Sequence, residues 1–364
     1  MKNKNKKVKI AIIGPYPPPY GGISVHIKRI ENYFKKNHTE YIIYNESRIV
    51  GYENIINVKP INSYKKFIFK IPFLKFGTLH FHVTNLKIQM LLGCYRFLGK
   101  KIILTMHGES YFDELAKLNL VGHYLILLSL RNINKIICVN PRIKEGLLDL
   151  GLDSKKIEII PAFIPPTSDE IDIKQLPEFF HKIRHKHKFL ITANAFRISF
   201  YNNEDLYGID LSIELMKLLI DNGYKDIGFI YVIPDIGDYD YFKKMQNLVK
   251  KYTLEDNFYF YTKPVAYPAV INMCDLFIRP TNTEGDALSI REALTLQKPT
   301  IASDVCTRPE GTIFFKNRNI DDLYIKTTDT INNYEEYRAK IENIEFEDNA
   351  EKILEVYKKV LNGK

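Results

Sequence analysis

The chain has 364 residues, too many for one ordinary core, so two domains of about 150 to 200 residues are expected. An apolar fraction of 45% and a charged fraction of 26% exclude a disordered or fibrous protein. The net charge of +9 is uneven: residues 1–165 carry 26 Lys+Arg against 11 Asp+Glu, a net +15 that leaves −6 for the remainder.

That asymmetry points to an anionic partner for the front half: a lipid headgroup, a phosphorylated acceptor or nucleic acid. Lysine-rich solubility is the alternative. Cys94, Cys138, Cys274 and Cys306 are scattered and form no CxxC pair, which argues against a disulfide framework or a zinc ribbon and for a reduced, cytoplasmic setting. The basic start MKNKNKK leads into an apolar run, Ile10 to Ile13, too short for an export signal. The stretch Leu118 to Leu130, broken by Gly122 and His123, falls short of the roughly 18 apolar residues of a membrane helix.

In chain order, KVKIAIIG, HTEYIIYN, TLHFHVT, KKIILTMHG and NKIICVN read as short buried strands separated by helical patterns. Such alternation predicts a parallel, doubly wound sheet. IIPAFIPPTSDEIDIKQLP then interrupts the pattern with Pro161, Pro165 and Pro166, placing a boundary near Pro165. A second series follows: KFLITANA, DIGFIYVIPD, NFYFYTK, CDLFIRPT and PTIASDV. The last stretch reads as a helix from the spacing of Ile353, Leu354, Tyr357, Val360 and Leu361, capped by Asp348 or Asn349.

EGDALSIRE, residues 284 to 292, follows the strand CDLFIRPT at the carboxyl end of the second sheet, where ligands of such folds bind. Ser289 and Glu292 fit a capping box. Alternatively, free amides at a helix start hold an anion such as a diphosphate, and a carboxylate one turn on accepts hydrogen bonds from a ribose diol. In the front half, GPYPPPYGG offers Gly21 and Gly22 for close backbone approach but not the spacing of a GxGxxG fingerprint. LTMHGES puts His107 at a strand end, whereas His82 in HFHV reads as a strand residue outside the site. The acids of DIGDYD lack the spacing of a calcium loop, and no histidine or cysteine spacing suggests zinc. SYKKFIFKIPFLKFG, residues 63 to 77, interleaves Lys65, Lys66, Lys70 and Lys75 with Phe67, Phe69, Phe73 and Phe76. It is either an interface for an anionic membrane or a segment with core phenylalanines and solvated lysines. None of the recognition motifs for nucleic acid is present.

With QKPTIASDV directly after it, EGDALSIRE resembles the glutamate pair and following strand of the family-four, retaining GT-B glycosyltransferases (glycosyl transferases group 1). IAIIGPYPPPYGGISVHIKRI resembles that family's first strand and glycine-rich loop. The resemblance covers nearly the whole chain. It implies an α/β GT-B fold of two Rossmann-like domains facing a central cleft. Residues 1–165 would bind the acceptor, 166–345 the nucleotide sugar, and a C-terminal helix over 346–364 would cross back to the first domain.

For the donor site the resemblance implies Glu284 and His107 at the transferred sugar and Glu292 on the ribose. Gly21, Gly22, Gly285, Asp286, Ala287 and Leu288 would approach sugar and phosphate through their backbones, and Arg197 would neutralise the diphosphate. Where the family carries a lysine after that arginine, this chain has Tyr207, and Arg291, Arg308 or Arg279 could replace the cation. The implied activity is transfer of a hexosyl group with retention, from a nucleotide-diphosphate sugar to a glycan or polyprenyl-phosphate-linked acceptor. The setting would be surface polysaccharide biosynthesis, at or near the inner membrane face, with no cofactor and no metal. A nucleotide-sugar 2-epimerase of the same fold and a non-catalytic nucleotide-sugar or glycan binder are the alternatives.

Overall fold

The computed structural model describes residues 9–18, 21–47, 56–83, 85–108, 110–284 and 287–363. The chain divides into two compact units, residues 1–164 with 347–364, and residues 165–346.

The first unit is built on seven parallel strands, β1 (Lys9–Gly14), β2 (Glu40–Asn45), β3 (Val58–Pro60), β4 (Thr78–Phe81), β5 (Lys101–Met106), β6 (Lys135–Cys138) and β7 (Ile157–Ile159), in the order β3-β2-β1-β4-β5-β6-β7. Strand β1 is apolar from Ile10 to Ile13 because both of its faces are covered: Ala11 and Ile13 face one core while Ile10 and Ile12 face the other. Helix α1 (Gly22–Lys36) and the last helix, Asn349–Leu361, pack on the Ile10 side. On the other side lie α2 (Tyr64–Lys70), α3 (Leu86–Leu92), α4 (Cys94–Phe97), α5 (Ser110–Ala116), α6 (Leu120–Asn132) and α7 (Pro141–Asp149). The last helix is capped by Asp348, buries Ile353, Val356, Tyr357 and Val360, and so belongs to the first unit. Within the proline-rich break, Ile160, Phe163 and Ile164 are buried in or beside that same core.

The second unit has six parallel strands: β8 (Phe189–Asn194), β11 (Ile227–Val232), β12 (Phe258–Tyr261), β13 (Leu276–Arg279), β14 (Thr300–Ser303) and β15 (Thr312–Phe315). Their order is β12-β11-β8-β13-β14-β15. A small hairpin of β9 (Phe200–Tyr201) and β10 (Glu204–Asp205) follows β8. Helices α8 (Glu178–Lys186), α9 (Ile209–Asp221), α10 (Tyr239–Lys251), α11 (Tyr267–Met273), α12 (Leu288–Thr295), α13 (Ile320–Asn332) and α14 (Tyr334–Glu342) complete the unit. In each sheet the strand order reverses beside the first strand, between β1 and β4 and between β8 and β13. Such switch points leave a crevice at the carboxyl ends of the strands, where ligands bind.

Candidate functional site

The loops at the second unit's switch point hold a buried charge cluster. Arg279, the last residue of β13, reaches across to the end of β8, where its Nη1 donates to Asn194 O at 2.8 Å and Asn194 Oδ1 at 3.1 Å. The same guanidinium grips Glu284, Nε donating to Oε1 at 3.1 Å and Nη2 to the same oxygen. Arg308 Nη1 closes on Glu284 Oε2 from the other side at 2.7 Å, and Thr281 Oγ1 donates to it at 3.2 Å. Arg308 is itself fixed by Ser303 O, Ser303 Oγ and Thr281 Oγ1.

Glu284 is therefore a clamped, ionised carboxylate rather than a free base. Burial pushes its carboxyl up, but Arg279 and then Arg308 more than offset this and hold it below the usual carboxylate range. In this clamp two guanidinium groups stand against one carboxylate, one positive charge in excess among its described side chains.

Tyr207 takes part in this arrangement. Its ring lies 5.1 Å from the Arg279 guanidinium carbon, a cation–π contact that supports the arginine. The loop carrying it is organised by buried Asp205, which accepts from the amides of Tyr207 at 2.9 Å and Ile209 at 2.8 Å and from the Tyr241 hydroxyl. Gly208 follows with φ +67°, and a Cβ there would stand 2.4 Å from Pro280 O. Only glycine lets the entry to α9 pass so close to the strand that supplies Arg279.

Helix α12 begins at Leu288 with Ala287 as its N-cap, so Ser289 lies inside the first turn and no capping box forms with Glu292. That reading of the glutamate pair is corrected. Glu292 is buried on the same helix, whereas the expected contributions of Gly285 and Asp286 lie outside the described residues. Arg197 is half exposed and 3.7 Å from Asp235 in the loop after β11, with Gly237 against its side chain. Arg291 is part-buried on α12. The cations on Glu284 are Arg279 and Arg308, which the sequence could name but not select. In the DIGDYD stretch Asp238 caps α10 and accepts from the Tyr241 amide at 2.9 Å.

At the first unit's switch point, the loop after β1 is anchored by Tyr16. Its amide donates to Asn45 Oδ1 at 2.9 Å and its hydroxyl to buried Glu31 Oε2 at 2.5 Å. Gly21 is the N-cap of α1, bracketed by Ser24, whose hydroxyl accepts from the Gly21 amide at 2.8 Å and donates to Gly21 O at 3.0 Å. Gly22 opens the helix, and a Cβ on Gly21 would meet no described atom within 4 Å. Gly14, by contrast, is needed for packing: a Cβ there would stand 2.7 Å from Ile27 and 2.9 Å from His82.

The fold gathers four histidines, of which only His80 and His82 are close in sequence. His82 Nδ1 is 2.9 Å from His107 Nε2, and the His26 ring centroid lies 5.4 Å from that of His82 and 5.3 Å from that of His107. His26 Nδ1 bonds Ala162 O at 2.7 Å; His80 is held by Tyr357 Oη at 2.6 Å and Thr105 Oγ1 at 2.7 Å. His82, read from the sequence as a strand residue outside the site, is thus the direct partner of His107. Only the fold reveals this, because the two lie 25 positions apart on neighbouring strand ends.

Burial dominates the chemistry of all four. It pushes His26 down to about 4 and His80 to about 3, while His82 and His107 fall well below the ordinary imidazole value, with neighbouring imidazoles adding to the effect. The cluster is therefore neutral near pH 7. One nitrogen of the His82–His107 pair donates and the other accepts.

His26, His82 and His107 also offer ligand atoms within 4.8 Å of one another, the one such group among the described residues. Nε2 of His26 and of His82 is buried without a described partner. No spacing in the sequence suggests a metal site, yet the fold brings these three imidazoles together. The 2.9 Å N–H···N bond, however, occupies the facing lone pair of one ring, so proton sharing competes with metal ligation there.

The chain matches the model for Glycosyltransferase Family 4 over residues 20–168 and that for Glycosyl transferases group 1 over residues 182–346. It is similar to an uncharacterised glycosyltransferase of Methanocaldococcus jannaschii, 25% identical over 92% of both chains. It is also similar to protein CapJ of Staphylococcus aureus, 29% identical over 43% of each. Among solved structures, a glycosyltransferase from Rickettsia africae superposes with a TM-score of 0.71 at 17% identity, covering 98% of this chain and 100% of that one. Anabaena HepE in complex with UDP superposes with a TM-score of 0.65 at 12% identity, covering 97% and 96%. The doubly wound sheet of each unit, the glutamate pair after β13 and both family models agree: the chain belongs to the GT-B glycosyltransferases of group 1 and family 4.

Proposed function

We propose that the protein transfers a hexosyl group from a nucleotide-diphosphate sugar to a glycan or polyprenyl-phosphate-linked acceptor, with retention at the anomeric carbon, in surface polysaccharide biosynthesis. The observation that carries this reading is Glu284, clamped by Arg279 and Arg308 at the carboxyl end of the second sheet. A glycosidic bond to diphosphate breaks with charge developing on the leaving group, so catalysis needs fixed positive charge and a held sugar. The excess cation of the clamp supplies the first, taking the place of the lysine that Tyr207 replaces, with Arg197 as a further phosphate ligand. The remaining lone pairs of Glu284 accept from sugar hydroxyls. Glu292 takes the ribose, and Ala287 and Leu288 present amides at the start of α12.

In the first unit, Gly21 and Gly22 admit a phosphate to the start of α1, and His107, held neutral and oriented by His82, hydrogen-bonds the sugar. The chemistry needs no metal. The basic first unit takes the acceptor and touches the anionic inner face of the membrane. HepE was solved with UDP and with UDP-glucose, which makes uridine nucleotides the first donors to try.

Product analysis after incubation with UDP-sugars and an acceptor extract separates the possibilities. Acceptor-dependent release of UDP, insensitive to EDTA, is the expected result. A changed sugar nucleotide formed without acceptor would establish an epimerase instead, and bound but unaltered donor a binding protein.

A further inference from the structure

The helices on one face of the first sheet bury a core beneath them and leave a second apolar surface outside. Phe67 and Ile71 point into the core, but Phe69 on α2 is 78% exposed and Phe73, in the 3-10 turn Ile71–Phe73, 85%. On α4 Phe97 is 77% exposed. On α6 Ile126 and Leu130 are buried while Leu120 (90% exposed), Val121 and Tyr124 face outward. A helix apolar on both sides is normally covered on both.

These elements form one continuous layer. The Tyr95 hydroxyl of α4 donates to Ile68 O of α2 at 3.2 Å, and the Gly93 amide donates to Ser129 Oγ of α6 at 2.8 Å. A Cβ on Gly93 would stand 2.6 Å from Ser129 O, so glycine is what permits this contact.

The charge on the layer has one sign. Residues 54 to 108 contain nine lysines and arginines and no Asp or Glu, and α6 adds Arg131 without an acid. Lys65, Lys66 and Lys70 are exposed on α2, beside Phe69. In sequence, the described acids that flank this stretch are Glu46, which is bound by the Tyr64 hydroxyl, and Asp113 and Glu114 on α5.

We propose that this face is a docking surface for an anionic lipid bilayer. The aromatic and aliphatic side chains enter the boundary between headgroups and acyl chains, and the lysines lie against lipid phosphates. A second copy of the chain fits less well, because a two-fold contact sets the same lysines against each other with no acid to pair them. The surface deepens the membrane contact of the proposed function and rests on that reading for its purpose. Its binding chemistry is independent of the donor site.

The test is co-sedimentation of the full chain with vesicles of phosphatidylcholine alone and of phosphatidylcholine with 30% phosphatidylglycerol, at low and high salt. Binding at least tenfold stronger to the anionic vesicles, weakened by salt, is expected. Phe69→Ser with Phe73→Ser, and separately Leu120→Ser with Tyr124→Ser, should each lower it tenfold or more. Lys65→Gln, Lys66→Gln and Lys70→Gln together should lower it about a hundredfold, at roughly fivefold per cation. All the substituted side chains are exposed, so thermal midpoints should stay near wild type, and a variant with an unchanged midpoint gives a clean reading. Equal weak binding to both vesicle types would overturn the proposal, as would concentration-dependent dimerisation abolished by the same substitutions. Because nucleotide binding is read on the same preparations, a wild-type chain that binds donor but no anionic vesicles refutes the surface and leaves the transferase reading standing.

Discussion

Glu284→Ala is expected to reduce transfer by a thousandfold or more and to destabilise the second unit by about 3–5 kcal/mol. The stability loss follows because Arg308 is almost wholly buried and Arg279 nearly so, and removing the carboxylate leaves both guanidinium groups without their anion. For a unit of this size that corresponds to a fall in unfolding midpoint of roughly 10 °C. The alanine variant is therefore a poor probe of nucleotide binding, since the loop between β13 and α12 loses its anchor. Glu284→Gln keeps the shape and an oxygen for one arginine. It should fold, bind nucleotide and still fail to transfer. Thermal unfolding and turnover of both variants check this account. Wild-type stability in the alanine variant would show that the clamp does not hold the loop, and near wild-type turnover in the glutamine variant would remove Glu284 from the chemistry.

Acid should open the first unit before carboxylates of ordinary affinity are protonated. The folded values of about 4 for His26 and about 3 for His80 lie below the 6.5 of an unfolded imidazole, so the unfolded chain binds more protons as pH falls. Stability from these groups is fully present above about pH 6.5 and is lost progressively towards pH 4. His26 alone accounts for about 3 kcal/mol over that window. Glu284, whose folded value is depressed, contributes stability that is lost only below the ordinary glutamate value. Midpoints recorded from pH 7.5 to 5 should therefore fall in a range where histidine, not glutamate, titrates. Replacing His26 by Asn should flatten the slope. A midpoint constant from pH 7.5 to 5 would mean the imidazoles are not buried in the folded protein.

Much of the fold was legible because buried parallel strands are written as largely apolar runs, and ten of those runs appear as β1, β2, β4, β5, β6, β8, β11, β12, β13 and β14. The strands that escaped notice are short or amphipathic. Val58–Pro60 and Ile157–Ile159 have three residues each and sit at sheet edges, Ile157–Ile159 running straight into the proline-rich break, and Thr312–Phe315 is part-exposed. In SYKKFIFKIPFLKFG the two open readings divide by residue: Phe67 is core, and Phe69 and Phe73 are exposed.

The site was legible as residue types but not as pairings. Glu284 stood out in the sequence, but its two arginines come from the end of β13 and from a loop 24 residues further on, a separation no local pattern encodes. The histidine cluster was hidden for the same reason, since His26, His82 and His107 come from a helix and the ends of two different strands. The departure at Tyr207 acquires a physical sense only when its ring is seen beside Arg279.

The proposed function requires first of all that the second unit bind a nucleotide sugar through Glu292 and the strand-end clamp. The most direct test is thermal unfolding of wild type and Glu292→Ala with UDP, GDP, ADP and CMP, each shift measured from that protein's own midpoint so that any loss of folding stability cancels. A ligand at about 100 times its Kd adds roughly 2.7 kcal/mol to the native state, a rise of roughly 5 to 10 °C here. Such a rise is expected for one nucleotide in wild type, with UDP the first to try, and should disappear in Glu292→Ala. An equal rise in both proteins would remove Glu292 from the ribose, and no rise with any nucleotide would contradict the donor site itself.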